Sequence, residues 1–333
     1  MKTFWLLTAL AVSLRAGLLV PGPYRVEVIQ RVPVTTPHER GFYRTACCPS
    51  GIVVLTHSAG DVTVIAASGA VLYQASGVEA FRNVTASTCD AADQLWVAGA
   101  GVVRRFAIGA SGEPRFQQSI WVSGGANALL VTRERLYLLG LARVEGKHVF
   151  LRAFRLPDGE QCGILPVHDE PGQEFADLGS VGVQLILNGG LFAYQDDVVY
   201  MRGNPFEFRR YTPEGRLVSV KRPSLSWFEN KSPQTLRSMP PRWWSLAADW
   251  ARKVVALPDG RVLVQVVLSP GPARLLRSES YLVLLDSDLE VQAEKISVPN
   301  WGLLEGADRE GNLWFSRLGV GGSRLIKVRL LNQ

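Results

Sequence analysis

The stretch GADREGNLWFSR, Gly306 to Arg317, places an aspartate three residues before a glycine and then runs into an aromatic-rich segment. Asp and Gly supply turn geometry, and Leu-Trp-Phe packs well on a pleated surface, so the stretch reads as a tight turn entering a β-strand. With Leu313 as an anchor, matching strand starts occur at Ile52 in SGIVVL, Leu95 in DQLWVA, Leu136 in ERLYLL, Val198 in DDVVYM and Val262 in DGRVLV. The intervals between these anchors are 43, 41, 62, 64 and 51 residues. Six units result, and the shortest period falls near the roughly 40 to 45 residues of a four-stranded propeller blade.

A second landmark keeps its distance from the first. Gly69, Gly112, Gly159, Gly215 and Asp288 follow the first five anchors by 17, 17, 23, 17 and 26 residues. The two longer values are accounted for by the insertions ARVEGKHVF in unit three and SPGPARLLRSES in unit five. Unit two reads as four strands, NVTASTC, QLWVAGA, VVRRFAIG and PRFQQSIW, here called A to D. In unit six, only three residues follow Leu330, the position 17 past the anchor, so strand D is missing. The segment YRVEVIQRV, Tyr24 to Val32, alternates like a strand and belongs to no other unit. The expected fold is an all-β, six-bladed β-propeller of four-stranded blades, closed by this N-terminal strand pairing beside SRLIKVRL. Closure is a physical requirement, because an open ring would leave two apolar blade faces in water.

These repeats resemble the NHL and gluconolactonase-like group of propellers over nearly the whole chain. The run G-x-D-x-x-G-x-L-W-F at Gly306 to Phe315 resembles a streptogramin-lyase repeat. Such motifs mark a blade turn and say little about function.

The first residues carry one lysine, an apolar run from Phe4 to Leu14, then Arg15 and Ala16. This is the pattern of a secretory signal peptide cleaved near Ala16, with residue 20 as the outer limit, leaving a single domain over 21–333. The rival is an uncleaved anchor, but Arg15 interrupts the apolar run short of the roughly 20 residues that span a bilayer. Export to the periplasm or the extracellular space permits a disulfide among Cys47, Cys48, Cys89 and Cys162, whose three complete pairings the sequence does not rank. A net charge of +6, from 36 basic and 30 acidic residues, excludes a nucleic-acid binder by its lack of dense basic clustering and favours anionic partners.

In each blade the A–B and C–D turns share one face, and the B–C loops and D–A connections share the other. All the long insertions go to the second face, above blades three to five, where binding is expected. The longest, Lys221 to Lys253, holds seven basic against two acidic residues and four of the nine tryptophans. Within it PPRWWSLAADWARK spaces Trp243, Leu246, Ala247 and Trp250 as one face of a short helix begun by Pro241. That helix either caps the ring or forms a lid, with Arg237, Arg242, Trp243, Trp244 and Trp250 as the ligand-binding set and a small anion or a protein as the partner. Peripheral contact with a membrane surface is a further reading of the same residues. The chain is expected to be a monomer and to need no cofactor.

The alternative is a metal-dependent lactonase or esterase. Resemblance to the gluconolactonase group implies a divalent cation such as calcium at the channel mouth, held by oxygen ligands from separate blades. Asn127 in GGANALL, Asn188 in ILNGGLFAY and Asp249 are the candidate ligands here. Asp90, Asp259, Asp308 and Glu310 are expected to fix their own A–B turns. The leader reading predicts that exported protein, measured by intact mass, begins between residues 17 and 21. A mass that retains residues 1–16 would establish the anchor instead.

Overall fold

The computed structural model describes residues 24–35, 43–167, 189–229, 249–268, 279–299, 301–318 and 323–332. Blade one comprises β2 (Tyr43–Cys47), β3 (Val53–His57), β4 (Val62–Ile65) and β5 (Val71–Ala75). Blade two comprises β6 (Val84–Cys89), β7 (Leu95–Gly99), β8 (Val102–Ile108) and β9 (Pro114–Trp121), and blade three β10 (Ala128–Val131), β11 (Arg135–Val144), β12 (Lys147–Arg155) and β13 (Gln161–Leu165). Blade four is β14 (Gly190–Tyr194), β15 (Asp197–Arg202), β16 (Glu207–Tyr211) and β17 (Leu217–Lys221). Blade five is β18 (Trp250–Ala256), β19 (Val262–Val267), β20 (Ser280–Leu285) and β21 (Val291–Ser297). Blade six has β22 (Leu303–Ala307), β23 (Leu313–Arg317) and β24 (Ser323–Asn332), with β1 (Tyr24–Val34) as its outer strand.

The A strands β2, β6, β10, β14, β18 and β22 each touch the next, and β22 touches β2, so they form a closed inner ring. Between neighbouring blades lie six apolar clusters, one for each interface of the ring. Strand periodicity explains how one sheet serves two of them. In β19 the side chains of Val262, Val264 and Val266 join the cluster shared with blade four, while Leu263 joins the one shared with blade six. A strand buried on both faces has to be apolar at nearly every position, and β3, β7 and β19 are buried along nearly their whole length.

The N-terminal strand closes the ring. β1 runs antiparallel to β24 from Tyr24 opposite Asn332 to Val34 opposite Ser323. A bulge at Ile29 shifts the register between Val28 and Gln30. One extra residue reverses which face the following side chains meet. Val26 and Val28 therefore pack toward blade five, whereas Val32 packs into the cluster between blades six and one. The seam is tied further on the turn face. Gln30 donates to Ser68 O, Arg309 N donates to Pro49 O, and the Arg309 guanidinium pairs with Asp93 at 3.1 Å. A disulfide joins Cys48 to Cys89, at the ends of the inner strands of blades one and two.

Turn acids behave as the sequence implies. Asp308 Oδ1 accepts from the amides of Glu310 and Asn312, and Asp90 Oδ1 from those of Ala92 and Gln94. Asp259 Oδ1 accepts from Arg261 N. In the C–D turn of blade five, the left-handed position held by glycine in blades one to four is taken by Leu289, at φ +64°.

Two expectations need correction. The unit-three insertion does not form a loop. It lengthens a hairpin, since β11 continues to Val144 and β12 starts at Lys147 after a Glu145-Gly146 turn with both φ positive. The helix drawn through PPRWWSLAADWARK also cannot extend to its end, because Trp250 to Lys253 belong to β18, where Trp250 lies opposite Val267. Pairing along an inner strand outweighs the helical spacing, and the blade-four-to-five connection is residues 222–249. Residues 230–248 of it lie outside the described residues.

Deleting Tyr24 to Val34 is expected to abolish cooperative thermal unfolding, because it uncovers apolar surface on both sides of the seam. A truncated chain that melts sharply and stays monomeric would contradict this. The Cys48→Ser/Cys89→Ser variant is expected to fold but to lose about 2 to 4 kcal/mol of stability in denaturant titration, the usual yield of a disulfide.

Candidate functional site at the channel mouth

The loop face is where every A strand begins and every B strand ends. Three of the inner strands are irregular there. In β6, β18 and β22 the pairing with the B strand skips one residue, leaving Thr85, Arg252 and Glu305 as the extra residues of bulges. Bulges of this kind re-aim side chains and backbone groups, and they recur near binding sites.

Two of the bulge residues, Thr85 and Glu305, are in contact with charged side chains of a neighbouring blade. Arg44, second in β2, donates from Nε to Thr85 O at 2.6 Å and from Nη1 to Tyr43 O at 3.0 Å. Lys253 Nζ pairs with Glu305 Oε2 at 3.1 Å, and Ser316 Oγ donates to Glu305 Oε1. Burial lowers the pKa of the Arg44 guanidinium, and the nearby Glu305 carboxylate works in the opposite direction. These contacts bridge blades one to two and five to six. Gln265 adds to the second bridge, donating to Ser280 Oγ and Gly302 O and accepting from Leu304 N, each at 2.8 Å.

Arg252 differs from its neighbours. It is exposed to solvent, and its guanidinium has no hydrogen bond or ion pair among the described residues. Burial of its surroundings nonetheless lowers its pKa. Arg252 lies on an inner strand of the ring, at the bulge that takes it out of the pairing with β19.

Beside the ring, blade four carries a buried charged network. Glu207 takes Arg209 Nε at 2.6 Å and Arg222 Nε at 2.7 Å. Asn204 Nδ2 donates to Asp249 O at 2.8 Å and Glu229 O at 3.2 Å, and Asp249 Oδ2 accepts from Glu229 N at 2.8 Å. The network clamps together the two ends of the blade-four-to-five connection, so whatever that connection does, its base is fixed.

The candidate ligands fall in separate environments. Asp249 is buried and occupied in the clamp, whereas Asn127 is exposed before β10 and donates its backbone N–H to Leu139 O at 2.7 Å. Asn188 lies outside the described residues, as do Arg237, Arg242, Trp243 and Trp244. Trp250 is 4% exposed, inside the protein rather than on its loop surface. Among the described residues no group of three or more His, Cys, Asp and Glu is placed to hold a metal ion. His57 is buried and accepts the Ala59 amide at Nδ1, which fixes a turn. Burial first, and Glu305 next, push the Cys47 thiol well up, so it stays protonated and is a poor nucleophile.

Sequence reasoning missed Arg44, Arg252, Lys253 and Glu305. The signal available for them was a charged residue in a strand otherwise apolar or small, as in WARKVVA and LLEGA.

No family model matches the sequence, and no curated protein does. Among solved structures, the chain is similar to a Bacteroides fragilis protein designated as exported, with a TM-score of 0.59 at 10% identity over 92% of this chain and 95% of that one. It is similar to a gluconolactonase of Xanthomonas campestris, TM-score 0.50 at 14% identity, covering 91% of this chain and 99% of the other. It is also similar to the virginiamycin B lyase of Staphylococcus aureus, TM-score 0.50 at 11% identity, covering 92% and 100%. At such identities the likeness is one of fold, and the chain is a six-bladed β-propeller whose architecture is shared by proteins of different chemistry.

Proposed function

We propose that this is an exported propeller that binds a ligand or protein partner, without catalysis, on its loop face above blades three to five. The observation that carries the reading is the distribution of connection lengths. Residues 166–189, 222–249 and 268–279 separate consecutive strands of blades three to five, and all three connections emerge on the loop face. Turns on the opposite face are short and closed by their own side chains. Long connections on a rigid scaffold are where propellers place recognition.

Export is supported by the apolar N-terminal segment and by the Cys48–Cys89 disulfide, which an oxidising compartment maintains. The fold-level likeness to a protein designated as exported agrees with it. No helix among the described residues is long and apolar enough to cross a membrane. Arg237, Arg242, Trp243 and Trp244 remain the proposed contact set on the connection, its base clamped by Asn204 and Asp249. A hydrolase of the lactonase type draws less support, because Asp249 is committed to that clamp.

Replacing residues 231–247 by a short Gly-Ser linker tests the reading while leaving the clamp intact. Cross-linking on the cell surface, read by mass spectrometry, is expected to lose the wild-type partner set in this variant with little change in melting temperature. An unchanged set removes the connection from the binding surface. Hydrolysis of a lactone or ester panel that needs a divalent cation and is abolished by Asn188→Ala would replace binding by catalysis.

A further inference from the structure

The six inner strands carry four charged side chains, Arg44, Arg252, Lys253 and Glu305. All four lie on blades five, six and one, which are consecutive around the ring. They occupy the second to fourth positions of their strands, and so sit at a common depth below the loop face. The facing strands β6, β10 and β14 contribute no charge. Their side chains are Thr, Ser, Cys and aliphatic or aromatic groups, with Asn127 exposed just before β10.

We infer that the channel mouth is a binding site for a small organic oxyanion, with a carboxylate or phosphate head on Arg252 and Lys253 and an uncharged body against blades two to four. The inference rests on the loop face being the binding face and names the chemistry recognised at its centre. The arc holds three cations and one carboxylate, so it keeps a surplus of positive charge. Glu305 holds Lys253 in place, and Arg44 is anchored on two backbone carbonyls. Among the described residues, Arg252 is thus the group left with all its donors unspent. A guanidinium presents a planar fork that fits two oxygens of one head group, and such charge-assisted pairs are the strong ones.

Charge placement over the molecule supports entry from this end. The A–B and C–D turns on the opposite face carry Asp90, Asp93, Asp286, Asp288, Glu290 and Asp308 among their acids, against Arg133, Arg216, Arg261 and Arg309 as their bases. An anion is therefore repelled from the turn face and admitted at the loop face. The same surplus opposes a divalent cation at this depth of the channel, since such an ion would lie beside two arginines and a lysine.

Calorimetric titration at constant ionic strength tests the site with inorganic phosphate and glucuronate, and with glucose as the neutral counterpart. The proteins are wild type, Arg252→Gln, Lys253→Gln and the outer-strand control Arg25→Gln. Wild type and Arg25→Gln are expected to bind both anions saturably and to show no heat with glucose. Arg252→Gln is expected to weaken binding at least tenfold, and Lys253→Gln severalfold. Absence of saturable binding in wild type overturns the inference, and so does an equal loss in Arg25→Gln or glucose binding as tight as glucuronate. The chain with residues 231–247 replaced separates this site from the loop-face reading. Retained phosphate affinity there supports the channel site whatever becomes of the loop partner, whereas its loss with Arg252 intact places the anion elsewhere and overturns the assignment.

Discussion

Pairing of β1 with β24 is the interaction on which the rest of the structure depends. Each blade is a sheet with two apolar faces, and a ring of such sheets is stable only when no face is left uncovered. The last blade is made from both ends of the chain, so the circle is held by a β-ladder that opens only if strands separate. Polar ties and a disulfide gather on the same side of the ring. Arg309 with Asp93, Gln30 with Ser68 O and Cys48 with Cys89 all connect blades six, one and two. Blades three to five lie away from this seam and bear the long connections. A scaffold closed firmly on one side is thereby free to carry large insertions on the other.

Closure also explains the chemistry available at the centre. Once six A strands are forced into a ring, their side chains have only a neighbouring blade or the channel to face. A bulge moves one residue out of that alternation, and Thr85, Arg252 and Glu305 are the residues so moved. Two outcomes follow from one device. Thr85 and Glu305 are used to bind neighbouring blades together, through Arg44 and Lys253. Arg252 is left exposed, with no hydrogen bond or ion pair among the described residues.

Much of the fold was legible in the sequence because turn chemistry and burial leave a regular trace. Leu95, Val262 and Leu313 are the first residues of their B strands, and Ile52 falls one residue before β3. The latch strand was legible for a simpler reason: unit six ran out of chain. The sequence alone does not rank the disulfide pairings, although the Cys48–Cys89 separation of 41 residues is close to one blade period and links equivalent ends of adjacent blades. The site was harder to read. A bulge is a register shift of one residue and leaves no mark in composition or spacing. Trp250 misled because its spacing from Trp243, Leu246 and Ala247 suits a helix, while its membership of β18 is decided by pairing with Val267. Charged residues of the channel arc come from three blades far apart in sequence, and only closure brings them together.

Hydrogen exchange followed by mass spectrometry on the intact chain measures closure most directly. If the ring is closed by β1, peptides covering Tyr24 to Val34 and Ser323 to Asn332 should exchange as slowly as those covering β23, through global unfolding alone. Rapid exchange of the Tyr24 to Val34 peptide while β22 and β23 remain protected would show that the ring holds without its latch, and would contradict the account.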